Sequence, residues 1–373
     1  MTQPRINMRT LDMLRGVLAV YVLAGHCRWL LWAGHGVWMA TPHSRWLEPL
    51  VYSSALVRYG REAVMIFFVL SGFFIHLRAA ESNRTTTSNA TAFYRRRAHR
   101  LGAPYAFALL VTIVLDAVGR AMWPDLYHAA TGDPLTDVIF SKTGYGLRSV
   151  VPAMLVLPSS LGHDFGTNGP LWSLAYEVIY YAMYPLWLRL RRSSAALAYG
   201  GIPLACALLS TLPWSGFPGA VLLLYPVWLT GAGLAEVLLS GRLRRPRAAA
   251  AASFVIGVGL LVTGVMRGLP MVPAMLYGAG AVVLCASMGA GSIRRWPVRL
   301  FEYLGARSYS IYIVHFPFVA LMSAALFAMG GRPLHGWFAA GGAVAAVAFG
   351  CLCFEICERH FVHHRIPGAK LAA

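Results

Sequence analysis

Apolar segments long enough to cross a lipid bilayer recur along the whole sequence, and this pattern constrains the fold more than any other feature. A transmembrane helix needs about 20 mostly apolar residues to cross roughly 30 Å of hydrocarbon. With 58% hydrophobic and 12% charged residues, the chain has the composition of an integral membrane protein. The sequence therefore predicts an all-α integral membrane protein, a bundle of about ten transmembrane helices. The predicted spans are 11–33, 62–79, 102–123, 170–188, 195–212, 217–239, 248–266, 270–289, 303–327 and 336–356.

Basic residues indicate the orientation of this bundle. Cytoplasmic loops of membrane proteins are enriched in Lys and Arg, and most of the 32 basic residues fall on one side if both termini are cytoplasmic. We therefore predict cytoplasmic termini. The net charge of +18 is explained by this topology and by anionic lipid headgroups, so we expect membrane lipid and no nucleic acid as a partner. Residues 1–373 are expected to form one membrane domain with no appended soluble domain.

The first span contains two ionisable residues, Arg15 and His26. Both are costly in hydrocarbon, so an ionisable residue within a span is a candidate for function. Eleven residues return to nearly the same helix face and rise about 16 Å. One stripe of this helix therefore offers a guanidinium near one membrane surface and an imidazole past the midplane. This layout suits an anionic group on one side and proton chemistry towards the other.

A cluster of arginines precedes the third span, at Arg95, Arg96, Arg97 and Arg100. Guanidinium groups match phosphate oxygens well, so this cluster is a candidate phosphate site. Anchoring of a cytoplasmic loop by positive charge explains the same residues equally well. The residue pattern leaves both interpretations open.

The fourth span begins at Asn168-Gly-Pro, where Asn168 is a candidate helix cap, and Glu177 follows two turns inside. A carboxylate at this depth needs a partner, either in a structural ion pair or in His26, which we place in the same half of the membrane. The ninth span carries a second histidine, His315. This residue is either a satisfied hydrogen-bonding group or a substrate contact.

Other residues in the spans are expected to serve the structure. Ser71-Gly72 should allow close approach of a neighbouring helix. Glu236, Glu302 and Glu355 lie near cytoplasmic helix ends, so we expect them to pair with arginines. The six cysteines lie in apolar runs, and neither disulfides nor a metal site are expected.

Five motifs in this order resemble the membrane-bound acyltransferase family 3. They are the Arg15–His26 pair with ten residues between, FFVLSGF (67–73), RRRAHR (95–100) before Pro104, NGPLWSLAYE (168–177) and SYSIYIVH (308–315). The similarity runs from residue 9 to about residue 360, nearly the whole chain. The resemblance implies transfer of an acyl group, expected to be acetyl, from acyl-coenzyme A to a hydroxylated acceptor. Many relatives carry an acidic residue where Met65 stands, so no role is assigned there.

The resemblance also implies roles for the candidate residues. His26 would be the general base, with Glu177 orienting its imidazole, or would itself carry the acyl group covalently. Arg15 would join the arginine cluster in binding acyl-coenzyme A. Acyl-coenzyme A would be a substrate, and no permanently bound cofactor is expected. The acceptor would be a sugar, polysaccharide or glycolipid at the outer face of a bacterial inner membrane. A further set of residues would contact this acceptor or line the site. These are Asn168, Trp172, Ser173, Tyr309, Ser310 and His315.

Two other functions stay open at this point. The acceptor could be a small hydroxylated compound such as a macrolide. A transporter or lipid flippase also uses charges within the membrane, but such proteins usually show repeat symmetry and interrupted helices, which we do not find here.

Overall fold

The computed structural model describes residues 6–81, 90–157, 163–212, 217–241, 243, 245–289 and 296–362. The fold is 82% helical, which confirms the prediction of an all-α membrane protein. Within the described residues, the strands are two residues each, β1 (Thr143–Gly144) and β2 (Asp164–Phe165), which pair in parallel.

The described residues form helices from one end of the chain to the other. In chain order they are α1 (Met8–Leu30), α2 (His35–Met39), α3 (Glu48–Ser53), α4 (Gly60–Glu81), α5 (Ala90–Met122), α6 (Pro124–Tyr127), α7 (Pro134–Phe140), α8 (Leu147–Met154), α9 (Trp172–Ser193), α10 (Ile202–Ser210), α11 (Phe217–Leu239), α12 (Pro246–Thr263), α13 (Met271–Ala286), α14 (Trp296–Ala306), α15 (Ser308–Ala328), α16 (Trp337–Cys353) and α17 (Arg359–Val362). A π-helical segment, Leu197–Gly201, precedes α10, and another, Phe354–Glu358, follows α16.

Seven helices in the described part of the chain are long and apolar enough to cross a membrane, so the protein is a multi-pass membrane protein. They are α1, α4, α5, α11, α12, α15 and α16 with its extension to Phe361. The other predicted spans overlap α9, which carries more charge, and the shorter apolar helices α10 and α13. At 1.5 Å per residue, the 16 residues of α13 reach only about 24 Å. The total of ten crossings and the cytoplasmic termini stay predictions.

Helices α4 and α11 are in direct backbone contact at two glycines. A Cβ atom on Gly72 would overlap the backbone oxygen of Trp228, and one on Gly231 would overlap that of Val69. Small residues permit such close contact between membrane helices, where van der Waals packing replaces the hydrophobic driving force. The predicted packing role of Gly72 is therefore confirmed.

Helix α1 lies in the middle of the bundle and is fixed along its length. At its start, the Thr10 hydroxyl donates to the Cys285 backbone oxygen of α13 at 2.5 Å. Further along, Gly16 packs directly on the α14 backbone, and Gly305 of α14 packs on the backbone of Asp12. The helix that carries Arg15 and His26 is thus packed closely against α13 and α14.

The expected ion pairs at the helix ends are present. They are Arg9–Glu302 at 2.9 Å, Arg191–Glu236 at 2.5 Å, Arg307–Glu355 at 2.7 Å and Arg359–Glu355 at 2.9 Å.

Candidate active site

A pair of histidines joins α1 to α15. The Nδ1 atom of His26 lies 2.8 Å from the Nε2 atom of His315, and the two ring planes differ by only 11°. His315 is buried and His26 is half-buried. The structure therefore brings together two residues that the sequence marked separately, 289 positions apart.

The partners of His315 determine where the protons of this pair lie. The Nδ1 atom of His315 is 2.7 Å from the backbone oxygen of Tyr312 and 3.2 Å from that of Ile311. A carbonyl oxygen only accepts, so Nδ1 of His315 carries the proton and its Nε2 is an acceptor when the ring is neutral. His26 must then donate from Nδ1. Its Nε2 atom is left with a free lone pair, as a general base requires.

The start of α9 is fastened to the helix that carries His315. The Tyr312 hydroxyl lies 2.8 Å from the Ser173 hydroxyl and donates to the Pro170 backbone oxygen at 3.2 Å. Trp172 turns away from this contact and packs edge-to-face on Phe68 of α4. Two of the six predicted residues are therefore separated, because Ser173 contacts the helix that carries His315 and Trp172 packs against α4.

Asn168 does not cap the helix that follows it, contrary to our expectation. Its side-chain nitrogen instead donates to the Ile313 backbone oxygen at 2.9 Å and to the Thr112 hydroxyl at 3.0 Å. These contacts fix the amide orientation, and among the described residues its buried Oδ1 atom has no partner. Asn168 and Trp172 both line a cavity of about 20 Å³, which is large enough for a single water molecule.

A buried carboxylate that the sequence analysis missed holds the segment before α9. Asp116 of α5 accepts from the backbone nitrogen of Thr167 at 2.8 Å, from the Thr167 hydroxyl at 2.7 Å, and from the Tyr145 hydroxyl. Burial, together with this carboxylate, raises the pKa of the Tyr145 phenol, so the hydroxyl stays protonated and donates. Asp116 is the lone acid of an apolar span. As an ionisable residue within a span it was a candidate for function from the sequence alone, as Arg15 was.

Glu177 has partners other than His26. Its carboxylate accepts hydrogen bonds from the Ser71 and Tyr181 hydroxyls, and Trp228 donates to Ser71 at 3.2 Å. The Nδ1 atom of His26 is hydrogen-bonded to His315. The expected orienting hydrogen bond from His26 to Glu177 is therefore not formed, and His315 takes that place.

At the other end of α1, Arg15 lies in a group of balanced charges. Its guanidinium is 3.4 Å from the Asp12 carboxylate, and Arg100 and Glu358 are close enough to interact with it electrostatically. Glu358 in turn accepts from the Ser310 backbone nitrogen at 2.9 Å and from the Ser310 hydroxyl at 2.5 Å. Ser310, predicted as an acceptor contact, therefore lies with Arg15 and not with the histidines.

Tyr309 is likewise directed towards the arginine end of the bundle. Its hydroxyl donates to the backbone oxygen of Leu101 in α5 at 3.2 Å, and Glu358 and Glu177 lie within electrostatic range. Tyr309 thus joins α15 to α5, and its role as an acceptor or site-lining residue stays a prediction.

The four clustered arginines do not share one environment. Arg97 lies over the rings of Phe93 and Tyr181, with 5.8 Å to each centroid, and it faces Glu177 electrostatically. Arg95 and Arg96 are exposed and form no ion pair with any described residue. The cluster therefore contains one arginine turned into the bundle and others available at the surface.

Known proteins resemble this chain over most of its length. Residues 8–355 match the family model described as an acyltransferase domain, of the acyltransferase 3 type. The acyltransferase MdmB of Streptomyces mycarofaciens is 26% identical over 290 residues, which cover 69% of this chain and 67% of that protein. No solved structure matches the chain. The chain therefore belongs to the acyltransferase family 3 and is a multi-pass membrane acyltransferase.

Proposed function

We propose that this protein transfers an acetyl group from cytoplasmic acetyl-coenzyme A to a hydroxyl of a sugar, polysaccharide or glycolipid at the outer face of a bacterial inner membrane. The observation that carries this proposal is the paired histidine site, in which His315 holds the Nδ1–H of His26 and leaves Nε2 free. Arg15 lies eleven residues earlier on the same helix, about 16 Å away. The two ends of one helix thus serve the acyl donor and the proton transfer.

The reaction at the histidine pair is a single acyl transfer. Nε2 of His26 takes the proton of the acceptor hydroxyl while the hydroxyl oxygen attacks the thioester carbonyl. The carbon–sulfur bond then breaks, and the coenzyme A thiolate leaves with the proton that His26 has gained. His315 stabilises the protonated His26 by accepting from its Nδ1–H, as a carboxylate does in other catalytic triads.

In this histidine pair, backbone carbonyl groups take the place of the carboxylate of a triad. The Tyr312 and Ile311 oxygens accept hydrogen bonds from Nδ1 of His315, so their dipoles stabilise the positive charge that develops on the pair. A relay without a fixed negative charge leaves the two imidazoles neutral at rest. A neutral His26 is what a general base at neutral pH needs.

The arginines provide the binding site for the phosphates of the donor. Arg95 and Arg96 are exposed and unpaired within the described residues, which suits contact with a soluble anion. Arg97 is turned towards Glu177 and Tyr181, and Arg15 and Arg100 flank Glu358. We assign to Arg95 and Arg96 the first contact with the phosphates of the donor. The other arginines would bind the donor further inside the bundle, towards the histidines.

The experiment uses the purified protein reconstituted in sealed vesicles of known orientation. Labelled acetyl-coenzyme A is supplied to one face only, with envelope glycans or a macrolide on the other face, and labelled acceptor is measured. The proposal requires label on a glycan acceptor when the donor is on the arginine side. Turnover driven from the histidine side would refute the sidedness. Label on the macrolide alone would replace the glycan by a small-molecule acceptor.

The His26→Ala variant is the matched control, because it removes the base and leaves the arginine end unchanged. Movement of an unmodified substrate by both proteins, with no label transferred, would favour a transporter. Family membership makes transfer chemistry the expected result.

A further inference from the structure

A second cavity, of about 210 Å³, lies between α4, α11, α12 and α13. It opens at the same end of the bundle as the histidine pair. The segment before α4 packs beside His26, because Arg28 donates to Ser54 at 3.2 Å and the backbone oxygen of Val57 lies against Gly25. The residues that matter here are Arg61, Glu62, Met65, Leu224, Leu261 and Arg267.

The charged residues of this cavity are not paired with one another. Within the described ranges, Arg61, Glu62 and Arg267 form neither ion pairs nor side-chain hydrogen bonds, and the cavity carries a net charge of +1 from two arginines and one glutamate. Nearby arginines do have hydrogen-bond partners. Arg28 donates to Ser54, and Arg58 donates to the neighbouring Tyr59 hydroxyl at 2.9 Å. Two unneutralised guanidinium groups at one opening fit an anion with several oxygens.

The wall of the cavity below these charges is apolar. Met65 and Leu224 are each only 4% exposed, and Leu261 adds a third apolar side chain. Helix α12 directs much of its surface outwards, with Val255 and Val262 each 67% exposed. A ligand that contacts both the charged opening and the apolar wall must itself be amphiphilic.

We propose that this cavity binds an anionic lipid whose headgroup carries both a phosphate and hydroxyl groups. The phosphate lies between Arg61 and Arg267, Glu62 accepts from a headgroup hydroxyl, and an acyl chain follows the wall at Met65 and Leu224. A zwitterionic lipid such as phosphatidylcholine lacks the hydroxyl donors and places a cation beside the two arginines. The site is separate from the histidine pair and does not depend on the acyl transfer proposed above.

The test measures lipid retention directly. The full-length protein is placed in nanodiscs that contain equal amounts of phosphatidylglycerol and phosphatidylcholine, and the lipids that stay bound are counted by native mass spectrometry. Wild type should retain phosphatidylglycerol in preference to phosphatidylcholine. The double variant Arg61→Ala/Arg267→Ala should lose this preference at least about tenfold, since two charge-assisted contacts are removed. Arg58→Ala, at the same end of the bundle but outside the cavity, is the matched control and should behave as wild type.

A second variant tests the apolar part of the site. Leu261→Trp fills the cavity without changing a charge, and it should displace phosphatidylglycerol as effectively as the double variant. Inorganic phosphate should compete poorly, because it gains nothing from the wall. Equal retention in wild type and the double variant would overturn the proposal, as would equal losses in Arg58→Ala. Displacement by inorganic phosphate alone, with no effect of Leu261→Trp, would replace the lipid by a free anion. Each of these readouts is independent of acyl transfer.

Discussion

Replacing His315 with leucine should slow acyl transfer while leaving the affinity for the acyl donor unchanged. The Nε2 atom of His315 lies 2.8 Å from Nδ1 of His26 and accepts a hydrogen bond from the Nδ1–H group, and leucine offers no acceptor. This contact strengthens when His26 has taken the proton of the acceptor hydroxyl, because a charged donor makes a stronger hydrogen bond. The lost free energy therefore falls mainly on the transition state, so kcat should change and KM should not.

The size of the effect follows from this one contact. A hydrogen bond to a charged group contributes about 1.5–3 kcal/mol and a neutral one about 0.5–1.5 kcal/mol, so the gain on charging His26 is about 1–1.5 kcal/mol. Since each 1.4 kcal/mol corresponds to about a factor of ten in rate, kcat should fall about 5- to 12-fold. A second effect acts in the same direction, because without an acceptor at Nδ1 the proton of His26 can move to Nε2. His315→Gln keeps an oxygen that can accept, so it should recover part of the loss.

The assay is the initial rate of acetyl transfer, with kcat and the KM for acetyl-coenzyme A determined separately. Ser323→Ala is the matched control, because Ser323 is buried in the same helix and donates to the Leu30 backbone oxygen at 2.9 Å. This control should lower thermal stability and leave kcat within about twofold of wild type. A kcat for His315→Leu within about threefold of wild type would refute the reasoning. Equal losses for the leucine and glutamine variants would refute the acceptor role in particular.

Three further outcomes are expected from the same geometry. His26→Ala should lower turnover by about 10² to 10⁴, and retention of more than about a tenth of wild-type turnover would mean that His26 is not the base. Glu177→Gln and His315→Gln should lower turnover independently, so that the losses multiply in the double variant, because their hydrogen bonds are separate. A coupling energy well above about 0.5 kcal/mol in a double-mutant cycle would show that Glu177 acts together with the histidines. Gly72→Leu should sharply lower the thermal unfolding temperature in detergent, while Gly60→Ala, in open space on the same helix, should leave it unchanged.

The local features of this fold follow from the sequence because helices satisfy their own backbone groups within each segment. Apolar length therefore locates α1, α4 and α15 closely, and the spacing of Arg15 and His26 places both on one stripe of α1. Apolar length is a less reliable guide to whether α13 crosses the membrane, because this helix is apolar but has only 16 residues.

The pairing of His26 with His315 could not be predicted in the same way. The two residues are 289 positions apart, and only the packing of α1 against α15 decides that they meet. Glu177 was predicted to contact His26 because both lie at a similar depth in the membrane. Depth does not determine direction around a helix axis, and Glu177 is taken up by Ser71 and Tyr181. Pairwise contacts between spans are thus the part that the sequence leaves undetermined.

The charges around Arg15, near the N-terminal end of α1, distinguish Arg15 from Arg96, although the sequence analysis gave both the same role in binding acyl-coenzyme A. Arg15 is next to Asp12 and close to Glu358, so much of its charge is already compensated, whereas Arg96 is exposed and unpaired among the described residues. Because the Debye length falls from about 10 Å at 0.1 M salt to about 3 Å at 1 M, an exposed phosphate contact should weaken over this range and a buried one should not.

Arg96→Ala should therefore raise the KM for acetyl-coenzyme A at low salt, and this penalty should nearly disappear at 1 M salt, when the wild-type contact is itself screened. Arg15→Ala should lower activity at both salt concentrations, because it leaves the Asp12 carboxylate without its partner. Lysine at position 96 should rescue only in part, since a point charge cannot replace a planar guanidinium. Arg189→Ala, another exposed arginine, is the control and should have no effect on KM. An Arg15→Ala penalty that shrinks with salt as much as that of Arg96→Ala would show that Arg15 contacts the phosphates directly, and the charge-balance argument would then be wrong.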